Sequence, residues 1–259
     1  MMIDLHNHIL PGVDDGAATM EESLEIARQF VSEGVEKVAA TPHFNPLEAD
    51  RVSAADVVEL VDSLRTALAA ADIPLHVEPG QEIFLTPDLP ALLASGEARP
   101  LGSSRWIVVE LPFDTLPFYV DDTLFRLQSA GYRPILAHPE RYSFVQRDPD
   151  KGVALAERDV ALQLTAASLL GHYGRRVRNT AEKLLAEGAY SIASSDRHHP
   201  GQNRSLEAVR KALARLGGQD LAELLLQTNP RRVLANERLS PADRIESRQG
   251  TLFSWPFRA

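Results

Sequence analysis

Ile3-Asp4-Leu5-His6-Asn7-His8, with Asp14-Asp15-Gly16 close behind, is the stretch on which the interpretation of this chain turns. In an extended backbone side chains alternate with period two, so His6 and His8 share one face. Ile3 and Leu5 interleave with polar residues, which reads as a short buried strand running into a polar site. Two imidazoles at a strand end, followed by carboxylates, are suitable donors for a divalent cation. By itself His-x-His is a weak motif, because surface histidines also pair by accident. Its weight depends on what the other strand ends carry.

Working outward from that first strand, residues 2–5, short apolar runs alternate with helical patterns. Runs at 35–40, 75–78, 106–111, 133–137, 160–164 and 190–193 make seven strands in all. Thr19 is placed to cap a helix, with Glu21 and Glu22 in its first turn and Gly34 stopping it. Further helices are predicted over 53–71, 86–95, 120–130, 149–157, 175–187, 205–216, 220–227 and 229–234. The strands are nearly all apolar, as strands covered on both faces should be. The pattern predicts an α/β fold, a distorted seven-stranded (β/α)7 TIM-like barrel, with an open doubly wound sheet as second choice. A single domain over 1–259 suits that length. The tail from about residue 238, with Leu252, Phe253, Trp255 and Phe257, has no evident place in the pattern.

Composition removes several functions. There are no cysteines, so disulfides, zinc–thiolate sites, iron–sulfur clusters and thiol nucleophiles are excluded. With 36 acidic and 27 basic residues the formal charge is −9, against a general nucleic-acid binder. No run approaches the roughly 20 apolar residues of a membrane helix, and no apolar signal core follows the start. A cytoplasmic protein without membrane insertion is expected. There is no Gly-x-Gly-x-x-Gly turn and no P-loop, which argues against a nucleotide cofactor.

Residues able to bind a metal fall at the carboxyl ends of six of the seven strands: His6 and His8, His43, Glu82, Glu110, His138, and Asp196 with His198. In a parallel α/β barrel those ends open onto one rim, where active sites form. Each residue alone has a plain explanation. His138 or His43 could be hydrogen-bonded core histidines, and Asp196 could cap a turn. Glu110 at the end of an apolar strand is costly unless paired or coordinated. The positional regularity is what argues for a shared site. The sixth strand ends instead in Gln163-Leu164-Thr165. His76 is expected to pack or hydrogen-bond within its strand, and His172 to lie on the surface. Glu78 competes with Glu82, but Glu82 follows Gly80, where the backbone can turn toward a site. Arg175-Arg176 reads as a solvated helix face.

Asp-Leu-His-Asn-His with Val-Asp-Asp-Gly, Thr-Pro-His, Gly-Gln-Glu, the strand-end Glu110, His-Pro-Glu-Arg-Tyr and Ser-Asp-Arg-His run in this order from residue 4 to 198. The set resembles the polymerase and histidinol phosphatase (PHP) superfamily. It is similar above all to the bacterial protein-tyrosine-phosphatase branch of capsular and exopolysaccharide synthesis. The resemblance implies a PHP-type distorted seven-stranded barrel holding two or three divalent ions. Manganese is foremost, with iron, zinc, magnesium and cobalt as alternatives. The ligands it implies are His6, His8, Asp15, His43, Glu82, Glu110, His138, Asp196 and His198, with Glu82 bridging. Asp15 is favoured over Asp14, which is left to order the turn before Gly16. Thr165 stands where relatives often carry asparagine. The arginine that relatives use near phosphate, after the Asp-x-His motif, is displaced: Arg204 lies eight residues past Asp196, with Arg197 as competitor.

The chemistry so implied is hydrolysis of phosphotyrosine on a protein, a tyrosine autokinase of polysaccharide export, by water that the metals activate. Arg141, shortly after His138, has a planar fork suited to phosphate, although a salt bridge to a carboxylate would also explain it. Arg141, Arg204 and Asp196 are the catalytic candidates. A small-molecule phosphomonoesterase such as histidinol phosphatase is the alternative enzyme, and a phosphodiesterase ranks lower. A non-catalytic metal-binding regulatory partner is the alternative from another class. Self-association is left open.

Overall fold

Apolar runs punctuated by Gly, Pro and capped helix starts give alternating strands and helices in a computed structural model that describes residues 1–245 apart from Asp50 and Asn203. Leu252, Phe253, Trp255 and Phe257 lie outside the described residues. Among the described residues the strands are β1 (Met2–Asn7), β2 (Val35–Ala40), β3 (His43–Phe44), β4 (His76–Pro79), β5 (Glu82–Phe84), β6 (Trp106–Glu110), β7 (Arg133–Ala137), β8 (Ala161–Thr165) and β9 (Tyr190–Ser194). They form two sheets, ordered β1-β2-β4 and β3-β5-β6-β7-β8-β9. Every pairing is parallel.

Nine strands stand where seven were expected, for local reasons. The second run is interrupted at Thr41-Pro42 and resumes as β3; the third is interrupted at Gly80-Gln81 and resumes as β5. Pro42 has no amide to give a ladder. Gly80 passes so close to Leu101 that a Cβ there would lie 2.6 Å from its methyl carbon. β2 pairs with β4 in one sheet, while their continuations β3 and β5 pair in the other. β1 also meets the chain just beyond β9. The Asp196 amide donates to the His6 carbonyl at 2.9 Å, and the His8 amide to the Arg197 carbonyl at 2.8 Å.

Helices cover the strands as the sequence predicts. Thr19 accepts from the Glu22 amide and starts the helix Met20–Ser32. Ser53 and Asp56 form a reciprocal capping box at the start of Ala54–Ala70. Gly96, at φ +82°, ends Leu89–Ser95 in the left-handed conformation that glycine adopts freely. No helix among the described residues is long and apolar enough to cross a membrane. Residues 238–245 run back along the body: the Ser240 amide donates to Asn229 Oδ1 and the Ile245 amide to the Ala186 carbonyl.

Two apolar cores result. The larger lies between strands and covering helices, with Phe30, Val38, Leu64, Ile83 and Leu136 among its members. The smaller is shared by both sheets and gathers Leu5, Ala39, Trp106, Val108, Ile135, Ala161 and Ile192. Trp106 and Val108 alternate along β6, and the next residue on that face is Glu110. Ala161 is likewise followed two residues on by Gln163. The period of two therefore stacks a polar layer directly on the small core.

Candidate metal centre

Glu82 is the hub of that polar layer. Its side chain is 1 % exposed, and its Oε2 atom lies 2.9 Å from His6 Nε2, 3.4 Å from His8 Nε2 and 3.2 Å from His43 Nδ1. Its Oε1 atom accepts from His138 Nε2 at 3.0 Å. Asp196 Oδ1 stands 3.8 Å from His6 Nε2 and 3.6 Å from His8 Nε2. Asp15 Oδ1 reaches His43 Nε2 at 3.6 Å and His198 Nε2 at 3.4 Å. Glu110 Oε1 is 3.5 Å from His138 Nε2. Three overlapping groups have donor atoms close enough to share an ion: His8-Asp15-His43-His198, His6-His8-Asp196 and His43-Glu82-Glu110. The residues predicted from the strand ends are thus brought together, with His138 joining through Glu82 and Glu110.

The imidazoles are oriented from behind. His6 Nδ1 is bonded to Gln163 Oε1 at 2.7 Å and His8 Nδ1 to Asp14 Oδ2 at 2.7 Å. Gln163 is itself held by Thr165 Oγ1. Asp14 also accepts from the amides of Gly16 and His43, so it orders the turn and aims His8 at once. Gly16 admits no side chain, since a Cβ there would collide with the His8 backbone. The opposite nitrogens, Nε2 of His6 and of His8, are buried and satisfied by no hydrogen bond. An imidazole anchored through one nitrogen, with the other bare and facing carboxylates, is how histidine presents itself to a metal. Buried carboxylates and imidazoles together suit borderline divalent cations. The residues present therefore fit such ions.

Charge in this layer is strongly perturbed. Burial opposes the His6 imidazolium, but Glu82 and Asp196 reverse that and raise it to about 9. Burial, with the Glu82 charge beside it, raises Glu110 to about 8. Burial also holds His138 down at about 4, with Arg141 adding to the effect. For Glu82 the burial penalty is outweighed by His6 and His43, and its carboxyl stays well below the usual range.

His-Pro-Glu-Arg-Tyr, which follows β7, places four side chains by one turn. His138 itself takes a left-handed conformation, φ +37°, as does Asp196 at φ +51°. Such conformations are rare for these residues and concentrate at functional sites. Glu140 is buried and accepts from the Thr165 amide and from Tyr190 Oη at 2.8 Å. Tyr142 Oη accepts from the Leu111 amide, tying the turn to the end of β6. Arg141 is left at the mouth, its Nη1 donating to Asp196 Oδ2 at 3.2 Å. Its guanidinium carbon lies 4.6 Å from the ring centres of both Phe113 and Tyr173.

Arg204 also reaches the centre, with Nη1 3.4 Å from Asp196 Oδ1 and 2.9 Å from His198 Nδ1. Its competitor Arg197 is 1 % exposed and points away, over the Phe30 ring and onto Glu33 Oε1 at 2.5 Å. Glu78 faces Lys37 and Arg65 instead of the centre. His76, expected to pack within its strand, is exposed at the start of β4. Gln163, Phe113 and Tyr173 were not singled out by the sequence. An amide inside an apolar strand was a usable signal for Gln163; nothing comparable marked the two aromatics.

A parallel α/β protein with a His/carboxylate centre at its strand ends, flanked by two arginines, is of the metallohydrolase kind in architecture. The chain belongs to the capsular polysaccharide synthesis CpsB/CapC family, whose pattern it matches over residues 2–235. It is 35 % identical over 239 residues to tyrosine-protein phosphatase YwqE of Bacillus subtilis, covering 92 % of this chain and 93 % of YwqE. CapC of Staphylococcus aureus is 31 % identical, with 92 % and 93 % covered. Among solved structures it superposes with a TM-score of 0.87 and 33 % identity on a crystal structure from work on YwqE and Streptococcus pneumoniae CpsB, described as unique metal-dependent tyrosine phosphatases; 95 % of this chain and all of that one are covered. Histidinol phosphate phosphatase of Lactococcus lactis shares the fold at a TM-score of 0.52 and 13 % identity, over 80 % of this chain and 91 % of that one.

Proposed function

We propose that this chain is a metal-dependent phosphatase that hydrolyses phosphotyrosine on protein, within the polysaccharide-synthesis role of its family. The observation that carries the proposal is the convergence of three overlapping donor groups and two arginines on Glu82 and Asp196. His6, His8, Asp15, His43, Glu82, Glu110, His138, Asp196 and His198 would hold two or three divalent ions, manganese first among them. Bound there, such ions supply activation of water near neutral pH and neutralisation of charge on the phosphoryl oxygens.

The chain's own residues do the rest. Arg141 and Arg204 offer planar forks from two sides of Asp196 to one phosphate. Phe113 and Tyr173 hold the Arg141 guanidinium between their faces, which limits its rotation. Asp196 touches both arginines and the histidines, so it couples the phosphate's position to the centre. Tyrosinate, with a phenol pKa of about 10, leaves without a strong general acid. A tyrosine autokinase is the partner this reading favours, in the cytoplasm.

The reading includes one domain built on a distorted seven-stranded barrel. Two features support that: β2–β3 and β4–β5 are each one interrupted run, and both sheets share the small core.

The decisive experiment is a panel of phosphotyrosine peptide, histidinol phosphate and a phosphodiester, assayed with manganese and again after chelation. Metal-dependent turnover of the phosphotyrosine peptide is expected. Turnover that survives complete metal removal refutes the metal reading, and preference for either other substrate refutes the assignment. Metal binding without turnover would make the protein a regulatory scaffold.

A further inference from the structure

A cleft of about 390 Å³ lies outside the centre, lined by Gln146, Arg175, Arg176, Asn179 and Lys183 among others. Three cations in one cleft stand out on a chain of formal charge −9. All three are exposed, and among the described residues no ion pair engages them. Among the described residues no carboxylate lines the cleft.

Its position ties it to the mouth. One wall is the segment of Gln146, whose Nε2 donates to the carbonyls of Glu140 and Arg141. The other is the helix Gly174–Ala186, preceded directly by Tyr173. The residues that open the two walls, Arg141 and Tyr173, are therefore the pair stacked at the mouth. Among the described residues no side chain caps that helix start, so its end of the helix dipole adds to the positive potential near Arg175 and Arg176. From Arg175 to Lys183 the helix rises about 12 Å, the span of about four extended residues.

We infer that this cleft is a substrate-recognition subsite for anionic side chains flanking the phosphotyrosine of the protein substrate. The inference rests on the phosphatase reading above. The scissile phosphate would sit at Arg141 and Arg204, and the flanking chain would run along the cleft. There its carboxylates, or a second phosphotyrosine, would meet Arg175, Arg176 and Lys183. Rim charges of this kind steer and select partners without touching the chemistry.

The test uses the full chain with manganese, a doubly charge-reversed variant, Arg175→Glu with Arg176→Glu, and a single Lys183→Glu variant. Glutamates in a first helical turn are favoured, so the double variant should fold, and its Tm checks that. Four substrates are compared: p-nitrophenyl phosphate and phosphotyrosine peptides flanked by glutamate, by lysine or by a second phosphotyrosine. For the wild type, KM should be lower for both anionic peptides than for the lysine peptide by about tenfold at low salt, the yield of two or three rim ion pairs. The double variant should lose that preference, Lys183→Glu should weaken it, and both should turn over p-nitrophenyl phosphate like the wild type. Preference for only one anionic peptide identifies the natural flank as carboxylate or phosphoryl. Equal KM for all peptides in the wild type, or a preference untouched in the double variant, overturns the inference. Binding of a non-hydrolysable phosphonate peptide with a glutamate flank, read by fluorescence anisotropy against salt, tests the cleft without turnover. Failure to hydrolyse p-nitrophenyl phosphate would instead count against the phosphatase reading itself.

Discussion

Asp14 bonds His8 and Arg141 bonds Asp196, so their roles should separate cleanly. Asp14 aims His8 from behind, so Asp14→Ala should lower manganese affinity by about 10–100-fold, the usual loss when such a partner is removed. The Arg141 side chain bonds Asp196 and lies over the two aromatic faces. Arg141→Ala should keep near-normal metal content while turnover falls about a hundredfold, as for loss of one charge-stabilising donor. Metal analysis beside steady-state kinetics reads both. Loss of metal from the Arg141 variant would make that residue structural, and unchanged affinity in the Asp14 variant would remove it from the centre. At this scale most of the histidines and acids were legible because they stand at or just beyond the end of an apolar run; Asp15, outside any such run, came from the family resemblance alone. The choice between Arg197 and Arg204 was not, since spacing along a loop says nothing of direction. Asp196 turns left-handed, and Arg197 leaves toward Glu33 while Arg204 returns. Tyr173 was illegible for a similar reason: it belongs to the centre only because Gly171 and Gly174 on either side bend the chain at φ +87° each.

Alternation of apolar runs with capped helices made the order of elements readable; most boundaries moved by a residue or two, but the helix expected from residue 86 begins at Leu89, and the short helices Ser143–Arg147 and Ala166–Leu169 were not foreseen. What the pattern missed was where a strand pauses. Thr41-Pro42 and Gly80-Gln81 each break a run, and the residues that resume it, His43 and Glu82, belong to the centre. The break is thus part of how those side chains are aimed. The His138–Tyr142 turn makes a comparable point about packing. Glu140 is a buried carboxylate whose pKa burial raises, partly offset by its hydrogen bonds, and Tyr190 Oη is one of its donors. Tyr190→Phe removes that donor and leaves a buried acceptor less satisfied, which should cost about 1–3 kcal/mol. In a chain of this size that lowers Tm by about 2–4 °C per kcal/mol. Calorimetry checks it; an unchanged Tm would show that the Glu140 contact contributes nothing to holding the turn.

Viewed as one molecule, the centre draws donors from β1, β3, β5 and β6 and from the turns after β7 and β9, so both sheets meet there. Ions bound across that junction should stabilise the whole fold. With free ion at a hundred times its dissociation constant, the gain is about 2.7 kcal/mol. Chelation should therefore lower Tm along with activity, and restoring manganese should recover both. Identical melting with and without ion would mean that the histidines and carboxylates hold their arrangement unaided. The acidic total says little about substrate at this scale, because the three cations of the cleft beside the mouth are hidden in it.

The seam between β1 and the chain beyond β9 also orders events in time. The Ser195 amide donates to Asp4 Oδ1 across 191 residues, and the His6 carbonyl waits for the Asp196 amide. On a translating ribosome the first histidines emerge roughly 10–40 s before the aspartate they need, at 5–20 residues per second. Until then the amino-terminal strand has only β2 to pair with, Asp4 lacks the Ser195 amide and hydroxyl, and His6 and His8 lack Asp196. The two donor groups that need Asp196 or His198 are therefore completed only once residue 198 has been made, whereas a product ending before Ser195 keeps His43, Glu82 and Glu110 alone of the three groups.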